Sequence, residues 1–480
     1  MSAADVLFLT SGTYPYSTGG VSTWASTLLS RLSQYRFALV SVISNPHVEL
    51  QYAIPTNVTS HQVLPLWGVD RPEEFMRGSA GKLLGKIYRA HSRGIEDFLQ
   101  SFEVFLREVS SAGEKPRVLA EAIMRMHEFL QTSDHRTIVR SRRFWDLFSA
   151  FMENHREFSE MSLFETIETC RTLARYLQVL ATDVPKCRLI HSSIADVTGF
   201  LAIIAKLRDR IPYILTEHGV YYRERLLDLA GRTSKGQTAF WANFEKAIAK
   251  LNYHYADFIA PVSRFNAQWE SELGADRKKI EVIYNGVDTE RFRPMPTERI
   301  SNAPTVSAVT RIDPLKGILD LITAMRTILD SVPNAKCLVF GSPSDSDYAR
   351  YCLEARDRLG LSDSVFFMGF TTETPRAFNS CDVVTLPSIS EGFPFSLIEG
   401  MACEKATVAT DVGGVGEALS DTGILVPPRN PTLLGEAIAR LLTDDQHSKK
   451  LGFAARNRIL TEYTVSRFTD RYKEIYVEMS

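Results

Sequence analysis

Short runs of apolar, β-branched residues alternate with stretches of helical apolar spacing in both halves of the chain. In the first half these runs occupy residues 5–9, 39–44, 189–192, 213–218, 258–263 and 280–288. In the second half they occupy residues 305–310, 336–340, 364–368, 383–386 and 406–410. Continuous apolar strands are typical of parallel sheets covered on both faces, and their alternation with helices predicts an α/β fold. We therefore expect two Rossmann-like domains facing each other across a cleft.

The stretch from about residue 72 to 184 carries apolar residues at helix-like intervals instead. We interpret it as a helical insertion in an N-terminal domain of residues 1–284. Residues 285–304 are rich in Asn, Gly and Pro, which predicts an interdomain linker. A C-terminal domain of residues 305–462 follows, and residues 463–480 are predicted to end the chain as an amphipathic helix.

Composition narrows the class of protein. With 480 residues, 44% of them hydrophobic, the chain can bury at least two cores. A formal net charge of -2 argues against nucleic acid as the main partner. The six cysteines form no CxxC pair or zinc spacing, so they are interpreted as reduced thiols. Because neither an apolar leader nor a membrane-length apolar run is found, a cytoplasmic location is expected.

Two basic clusters lie in the helical stretch. The first contains Lys82, Lys86, Arg89 and Arg93, and the second contains Arg136, Arg140, Arg142 and Arg143. A solvated helix face is the favoured interpretation of both. The alternatives are contact with an anionic membrane surface or with an acidic acceptor.

The most informative stretch is residues 390–403, which read SEGFPFSLIEGMAC. An apolar run ends just before it at Pro387, Gly392 frees a turn, and Pro394 suits the first position of a helix. The first free amides of that helix belong to Phe395, Ser396 and Leu397. Amides at a helix start that follows a parallel strand attract anions, so a phosphate is expected there.

Glu391 and Glu399 bracket the same turn. Glu399, one turn into the helix, can accept hydrogen bonds from a sugar diol, whereas Glu391 stays in the loop at the reacting end. Taken singly, each carboxylate is more readily explained as a cap or a solvated charge. Their surroundings favour a ligand site.

Further strand ends carry polar or glycine-rich loops. Arg311 and Lys316 follow one strand and suit the two phosphates of a diphosphate. The glycines of residues 413–417 repeat the order of strand, turn and helix, although a flexible turn would explain them too.

In the first half, Gly19 and Gly20 end a loop between a strand and a helix, where backbone can approach a phosphate or sugar. The loop lacks the GxGxxG fingerprint, so nicotinamide binding is not supported. His218 ends a strand beside a glycine, where a functional role and a buried structural role are equally balanced.

Together these features resemble the family 4 retaining glycosyltransferases, which have the GT-B fold. The resemblance rests on Gly19 with Gly20, residues 217–218, residues 285–288, Arg311 with Lys316, Glu391 with Glu399, and residues 413–417, in that order. Within that family, residues 12–16, residues 216–225 and the helical insertion further resemble the Pel type of exopolysaccharide glycosyltransferase.

The resemblance implies roles for these residues. Arg311 and Lys316 would neutralise the diphosphate of a nucleotide-sugar donor, Glu399 would hold the ribose hydroxyls, and Glu391 would orient the donor sugar. Backbone after Gly392, including Phe393, Phe395, Ser396 and Leu397, would add amides. Gly19 and Gly20 would approach the diphosphate, and His218 would face the donor sugar near the acceptor. The last helix would return to the N-terminal domain, and UDP-glucose would be the favoured donor.

The implied reaction retains anomeric configuration, with the leaving phosphate taking the acceptor proton. No Asp-x-Asp motif at a strand end offers a divalent metal site, so neither metal nor cofactor is expected. Expected partners are the donor, a saccharide or other hydroxyl acceptor, and peripherally a membrane polysaccharide synthesis complex. A glycosidase, an epimerase, a phosphorylase and a catalytically silent nucleotide-binding regulatory subunit are the alternatives.

Overall fold

The computed structural model describes residues 4–69, 84–88, 94–229, 231, 233–297 and 300–480. Three residues of the first basic cluster, Lys82, Arg89 and Arg93, lie outside the described residues. The chain forms two compact units. The N-terminal unit comprises Met1–Pro261, Ala267–Val282 and Lys473–Ser480, and the C-terminal unit comprises Val262–Asn266 and Ile283–Tyr472.

The N-terminal unit is built on a parallel sheet of six strands in the order β3-β2-β1-β4-β5-β6. The strands are β1 (Val6–Ser11), β2 (Phe37–Ile43), β3 (Val58–Pro65), β4 (Leu189–Ser192), β5 (Tyr213–Glu217) and β6 (Phe258–Pro261). Central strands such as β1 and β5 are buried along nearly their whole length, as their unbroken apolar sequences predict. The order reverses beside β1, because β2 and β3 lie on one side of it and β4 on the other.

Some helices of this unit cover the sheet, and those between Glu96 and Leu177 lie in the predicted insertion. They are α1 (Gly20–Arg31), α2 (Glu96–Ser110), α3 (Pro116–Thr132), α4 (His135–Val139), α5 (Arg142–Asn154), α6 (Leu163–Leu177), α7 (Gly199–Asp209), α8 (Tyr221–Leu229) and α9 (Lys235–Tyr255). Buried aromatic side chains join the insertion to the rest of the core, as where the rings of Phe102 and Phe144 stack with centroids 4.5 Å apart. A capping box at Ser162 and Glu165 begins α6. The next helix, α10 (Arg264–Glu272), begins in the residues Val262–Asn266 of the C-terminal unit and continues in the residues Ala267–Val282 of the N-terminal unit.

The C-terminal unit repeats the architecture with a parallel sheet in the order β12-β11-β10-β7-β8-β9. Its strands are β7 (Thr305–Val309), β8 (Lys336–Phe340), β9 (Val365–Gly369), β10 (Val383–Leu386), β11 (Ala406–Thr410) and β12 (Ile424–Val426). The order reverses at β7, since β8 and β9 extend to one side and β10 pairs on the other. In open α/β sheets, ligands bind at the carboxyl ends of strands beside such a reversal.

The helices of this unit are α11 (Ile318–Ser331), α12 (Ser346–Arg358), α13 (Thr374–Asn379), α14 (Phe395–Ala402), α15 (Val415–Leu419), α16 (Pro431–Thr443) and α17 (Asp445–Glu462). The final helix, α18 (Val465–Met479), contributes residues through Tyr472 to this unit and residues from Lys473 to the N-terminal unit. Within the described ranges, no helix combines the length and apolarity needed to cross a bilayer.

The predicted α/β class with two Rossmann-like sheets is confirmed. One predicted strand is wrong: residues 280–288 form only isolated bridges, at Ile280 and at Val287. Backbone contacts explain the difference. Ile280 still bridges Ile259 of β6, but Val287 N donates to Tyr463 O at 2.9 Å and Gly286 lies against Thr464, so the end of the segment pairs with the chain before α18 and not with a sheet. The sequence pattern also missed β3 and β12.

Candidate active site

The loop after β10 has the predicted order of strand, turn and helix. Its start is fixed from both sides, since Ile389 N donates to Leu315 O at 2.7 Å and Thr410 Oγ1 donates to Ser388 O at 2.5 Å. Helix α14 begins at Phe395, as predicted, but Pro394 is its extended N-cap and not its first helical residue. The amides of Phe395 and the next two residues therefore occupy the first turn, where no intrahelical acceptor is available.

A second glycine turn supports this loop. Gly414 N donates to Gly392 O at 2.8 Å, and a Cβ on Gly413, whose φ is +57°, would lie 1.8 Å from Glu391 O. Asn285 Nδ2 holds the other side by donating to Phe393 O at 2.8 Å. The glycines of residues 413–417 thus have a packing role, because only residues without a side chain allow this close backbone approach.

Phe393 can contribute only main-chain groups to the site, because its side chain is buried. Its side chain is 3% exposed and packs against the rings of Tyr284 and Tyr463. The side chain of Leu397 is likewise buried, whereas Ser396 is partly exposed. Phe393 and Leu397 can therefore meet an anion only through their main-chain amides, whereas Ser396 also has a hydroxyl group.

Lys316 and Glu391 form an ion pair at the carboxyl ends of β7 and β10. Lys316 Nζ lies 2.6 Å from Glu391 Oε1, which also accepts a hydrogen bond from Ser388 Oγ at 2.7 Å. The Lys316 side chain is 18% exposed and that of Glu391 8%. Gly317 makes this approach possible, because a Cβ there would lie 2.0 Å from Pro387 O.

Arg311 lies on the same strand-end loop as Lys316 but is held loosely. Its guanidinium is 3.7 Å from Asp313 Oδ2, and its side chain is 54% exposed. Such a pair contributes little stability, so the guanidinium can move to another anion at small cost.

Glu399 projects from the first turns of α14 into a half-buried position. Burial raises the pKa of its carboxyl to about 7, and the nearby Arg291 guanidinium opposes that shift. Within the part of the chain that the structure describes, no hydrogen bond to this carboxylate is formed. A half-buried carboxylate without donors gains from a ligand that supplies hydroxyl groups.

In the N-terminal unit, Gly19 is the N-cap of α1 and Gly20 its first residue. Gly19 has φ of +150°, a conformation that favours glycine, and a Cβ there would meet no atom within 4 Å. The loop after β1 therefore presents open backbone at the point where the strand order reverses.

His218 lies at the end of β5, with its ring edge-on to Trp24 of α1 at a centroid distance of 4.5 Å. Burial lowers the pKa of its imidazole to about 3, so the ring is neutral near pH 7. Its Nε2 atom is buried and has no hydrogen-bond partner among the described residues. His218 can thus exchange a hydrogen bond with a ligand, but it does not supply a positive charge.

A pair of buried carboxyl groups, Glu217 and Glu270, lies in the same unit as His218, and Glu217 directly precedes that histidine in the chain. Glu217 accepts from Tyr221 N at 2.8 Å and from Tyr253 Oη at 2.6 Å. Both carboxylate oxygens of Glu270 are buried, and its carboxyl lies beside that of Glu217. Burial, and then repulsion between the pair, raises the pKa of Glu270, and burial raises the pKa of Glu217 to about 7.

These carboxyls predict a pH dependence of stability. Because their pKa values are higher in the folded chain, folding favours the protonated form, and the free energy of unfolding falls as pH rises from about 4.5 to 7. Glu270→Gln removes one buried charge and is expected to reduce that fall by on the order of 1–3 kcal/mol. Denaturant unfolding at pH 5 and pH 8 measures it. Glu272→Gln, at an exposed position of the same helix, is the control; equal pH slopes in both variants would contradict the prediction.

Of the predicted site residues, the structure brings Lys316 and Glu391 into contact in the C-terminal unit, and it places Gly19, Gly20 and His218 in the N-terminal unit. Three further residues were not predicted from the sequence. Ser388 donates a hydrogen bond to Glu391, the Arg291 guanidinium lies near Glu399, and Trp24 packs on His218. Of these three, Ser388 alone had a sequence signal, because it lies two residues beyond the end of β10. Within the described ranges, no cluster of His, Cys, Asp and Glu side chains is arranged to hold a metal ion.

Two parallel six-stranded sheets, each with a reversal of strand order, fit a GT-B fold, and solved structures with that fold align over nearly the whole chain. The structure of Anabaena Alr3699/HepE in complex with UDP and glucose aligns with a TM-score of 0.63 and 17% identity, over 98% of this chain and 99% of that one. Sucrose-phosphate synthase from Thermosynechococcus elongatus aligns with a TM-score of 0.63 and 17% identity, over 99% and 98% of the two chains.

Sequence comparison defines the class of enzyme. Residues 293–458 match the family described as Glycosyl transferases group 1. The D-inositol 3-phosphate glycosyltransferase of Salinispora arenicola is 27% identical over 60% of this chain and 68% of its own length. The alpha-maltose-1-phosphate synthase of Mycolicibacterium smegmatis is 27% identical over 63% and 81%. The protein is a glycosyltransferase. Because residues 4–278, more than half of the chain, match the family described as Domain of unknown function (DUF3492), it belongs to that family.

Proposed function

We propose that this enzyme is a retaining glycosyltransferase that moves a hexosyl group, with glucose favoured, from a UDP-sugar to a hydroxyl of a saccharide acceptor. The observation that carries the proposal is the placement of Lys316 and Glu391 beside the start of α14, at the strand-order reversal of the C-terminal sheet. A cation, a carboxylate and free helix amides at that position suit a sugar diphosphate.

Lys316, Arg311 and the amides of Phe395, Ser396 and Leu397 would bind the diphosphate. Cleavage of the bond between sugar and phosphate builds negative charge on the departing diphosphate, so groups fixed opposite that charge lower the barrier. The proposal needs no divalent metal, because protein cations and helix amides take its place.

Glu399 would accept hydrogen bonds from the ribose hydroxyls, and Glu391 would orient hydroxyls of the donor sugar. Glu391 is poorly suited to be a covalent nucleophile, since its Oε1 is already engaged by Lys316 and Ser388. Departure and attack on one face of the sugar would retain configuration, with the leaving phosphate oxygen taking the acceptor proton.

In the N-terminal unit, Gly19 and Gly20 would approach the diphosphate with their backbone. His218 would hydrogen-bond the donor sugar near the acceptor through its unpartnered Nε2. A neutral imidazole suits this role, because a cation beside the anomeric carbon would oppose the positive charge that develops there.

UDP-glucose and exopolysaccharide synthesis are the finer parts of the proposal. They are supported by the resemblance of residues 12–16, residues 216–225 and the helical insertion to PelF, the soluble glycosyltransferase of Pel exopolysaccharide synthesis. The Anabaena HepE structure with UDP and glucose is consistent with that donor. We place the enzyme in the cytoplasm, in peripheral contact with a membrane polysaccharide synthesis complex.

Incubation with UDP-glucose, UDP-N-acetylglucosamine and GDP-mannose tests the proposal. We expect nucleotide release fastest from UDP-glucose, slow without acceptor, and unchanged when EDTA is added. Release that requires a divalent cation would contradict the metal-independent part. Tight nucleotide binding with no release from any donor would instead favour a silent regulatory subunit, and formation of an epimerised donor would favour an epimerase.

A further inference from the structure

A cavity of about 1000 Å³ lies in the helical insertion of the N-terminal unit, and none of the described residues that form its walls belongs to the candidate active site. Its walls come from Trp67, just after β3, and from the helices α4, α5 and α6. A cavity of this volume is in the range of sites that hold small molecules.

The cavity is strongly basic. Among the described residues, its walls contain one carboxylate, Glu168, and five arginines: Arg136, Arg140, Arg142, Arg171 and Arg175. This formal excess of four positive charges contrasts with the net charge of -2 for the whole chain. Guanidinium groups around one volume repel each other, so an anion placed among them is stabilised.

These arginines are not simply the solvated face of one helix. Arg136 lies on α4, Arg140 directly follows it, Arg142 begins α5, and the other two lie on α6, so three helices bring them to one volume. The side chain of Arg142 is 90% exposed, and its Nε atom lies 3.4 Å from the carboxylate of Asp146. Arg175 Nη1 is anchored to Val69 O at 2.7 Å, while Arg171 is 73% exposed and forms an ion pair with Glu168 at 2.8 Å. Arg143, from the same sequence cluster, is absent from the cavity walls and pairs with Glu96.

Two tryptophans, Trp67 and Trp145, share the walls with the arginines. Trp67 is 42% exposed, and its ring meets that of Tyr176 edge-on with centroids 6.4 Å apart. Flat aromatic faces pack against the C–H faces of sugar rings, and guanidinium groups bind carboxylate or phosphate with two parallel hydrogen bonds. The two kinds of wall together suit a saccharide that carries an acidic group.

The cavity adjoins the carboxyl-end edge of the N-terminal sheet. Trp67 N donates to Ser44 O at 2.9 Å, just beyond β2, and Gln178 Nε2 donates to Pro65 O at 3.1 Å, at the end of β3. Because all six strands are parallel, this is the edge that also carries Gly19 and His218. A saccharide in the cavity would therefore lie on the same edge of the sheet as the proposed sugar contact.

We propose that this cavity is an acceptor subsite that binds the acidic sugar units of the acceptor, whether these carry carboxylate or phosphate. This inference rests on the proposed function, because it assigns the chemistry of the acceptor. The acidic group would be held by the arginines, and the neighbouring sugar ring would pack on a tryptophan.

Calorimetric titration of the full chain with defined probes tests the subsite. Trigalacturonate represents the carboxylate source, glucose 6-phosphate the phosphate source, maltotriose a neutral saccharide, and inorganic phosphate a bare anion. We expect at least one acidic sugar to bind at least tenfold more tightly than maltotriose and inorganic phosphate. The double variant Arg140→Gln/Arg171→Gln is expected to weaken that binding at least tenfold. Which acidic sugar binds more tightly identifies the source of the anion.

Arg107→Gln is the matched control, because Arg107 is an exposed arginine of α2 that pairs with Glu103 at 2.5 Å outside the cavity. Its affinity should stay within twofold of the original protein. If the double variant fails to fold, Arg171→Gln alone is used, with an expected loss of at least threefold. Unchanged affinity in the cavity variants, equal binding of maltotriose, or equal binding of inorganic phosphate would each overturn the subsite. Arginine-dependent binding to phosphatidylglycerol vesicles without saccharide binding would also overturn it.

Acceptor-free nucleotide release from UDP-glucose separates this proposal from the function on which it rests. Release should be the same in the original protein and in the cavity variants, since none of these arginines belongs to the donor site. If the original protein releases no nucleotide from UDP-glucose, the proposed glycosyltransferase mechanism is contradicted. The saccharide affinities would still decide whether the cavity binds acidic sugars.

Discussion

Lys316→Met is expected to lower kcat/KM for UDP-glucose by two to three orders of magnitude. The substitution keeps the length of the apolar stem and removes the cation opposite the departing diphosphate. Loss of one fixed group that stabilises transition-state charge typically costs about 100- to 1000-fold in rate, or roughly 3–4 kcal/mol. Steady-state assays of nucleotide release measure the effect, and Lys336→Met, at the start of β8 on the opposite edge of the sheet, is the matched control.

Removal of Lys316 also leaves Glu391 with Ser388 as its one side-chain partner among the described residues, so a loss of about 1–3 kcal/mol in stability is expected as well. The double variant Lys316→Met/Glu391→Gln removes both charges and should recover most of the lost stability while turnover stays low. Recovery of turnover in that double variant would show that Lys316 matters only as a partner of Glu391.

Glu399→Gln is expected to lower kcat/KM for UDP-glucose by about 10- to 100-fold, mainly through a higher KM. A carboxylate that accepts two hydroxyl groups loses its charge in the variant, and hydrogen bonds to charged groups contribute roughly 1.5–3 kcal/mol. Because burial raises the pKa of this carboxyl to about 7, activity of the original enzyme should also rise between pH 6 and pH 8 as the group ionises. The variant should lack that part of the pH profile.

A donor analogue makes the assignment of Glu399 specific. UDP-glucose with a 2′-deoxyribose should be a poorer substrate for the original enzyme but no poorer than UDP-glucose for Glu399→Gln, because the same interaction is removed from either side. Glu436→Gln, at an exposed position of α16, should keep the full preference for the ribose hydroxyl. Equal sensitivity to the deoxy substitution in all three proteins would rule out a ribose contact by Glu399.

The strand, turn and helix of residues 382–403 could be predicted from sequence because each step is local. An apolar run, a glycine, a proline and a helical pattern follow each other within one segment, and α14 begins at the predicted residue. The ion pair of Lys316 and Glu391 could not be predicted, since its partners are 75 residues apart and meet only because β10 pairs with β7. Strand order depends on the packing of the whole unit.

The same limit explains two other differences. Residues 280–288 have the composition of a strand, but only Ile280 reaches a sheet, where it bridges Ile259 of the edge strand β6. At Val287, backbone bonds to the segment before α18 replace strand pairing. The arginines of the insertion resemble a solvated helix face when α4 or α6 is considered alone. Their convergence on a cavity arises from the packing of three helices, which a single periodic pattern does not contain.

The most direct test of the central claim is the crystal structure of the protein with bound UDP-glucose, prepared without divalent cations. We expect diphosphate oxygens within about 3 Å of Lys316 Nζ and of an amide in the first turn of α14, with the ribose hydroxyls on Glu399. A diphosphate that is ordered elsewhere, with the ion pair of Lys316 and Glu391 intact and the first turn of α14 unoccupied, would contradict the proposed binding of the leaving group.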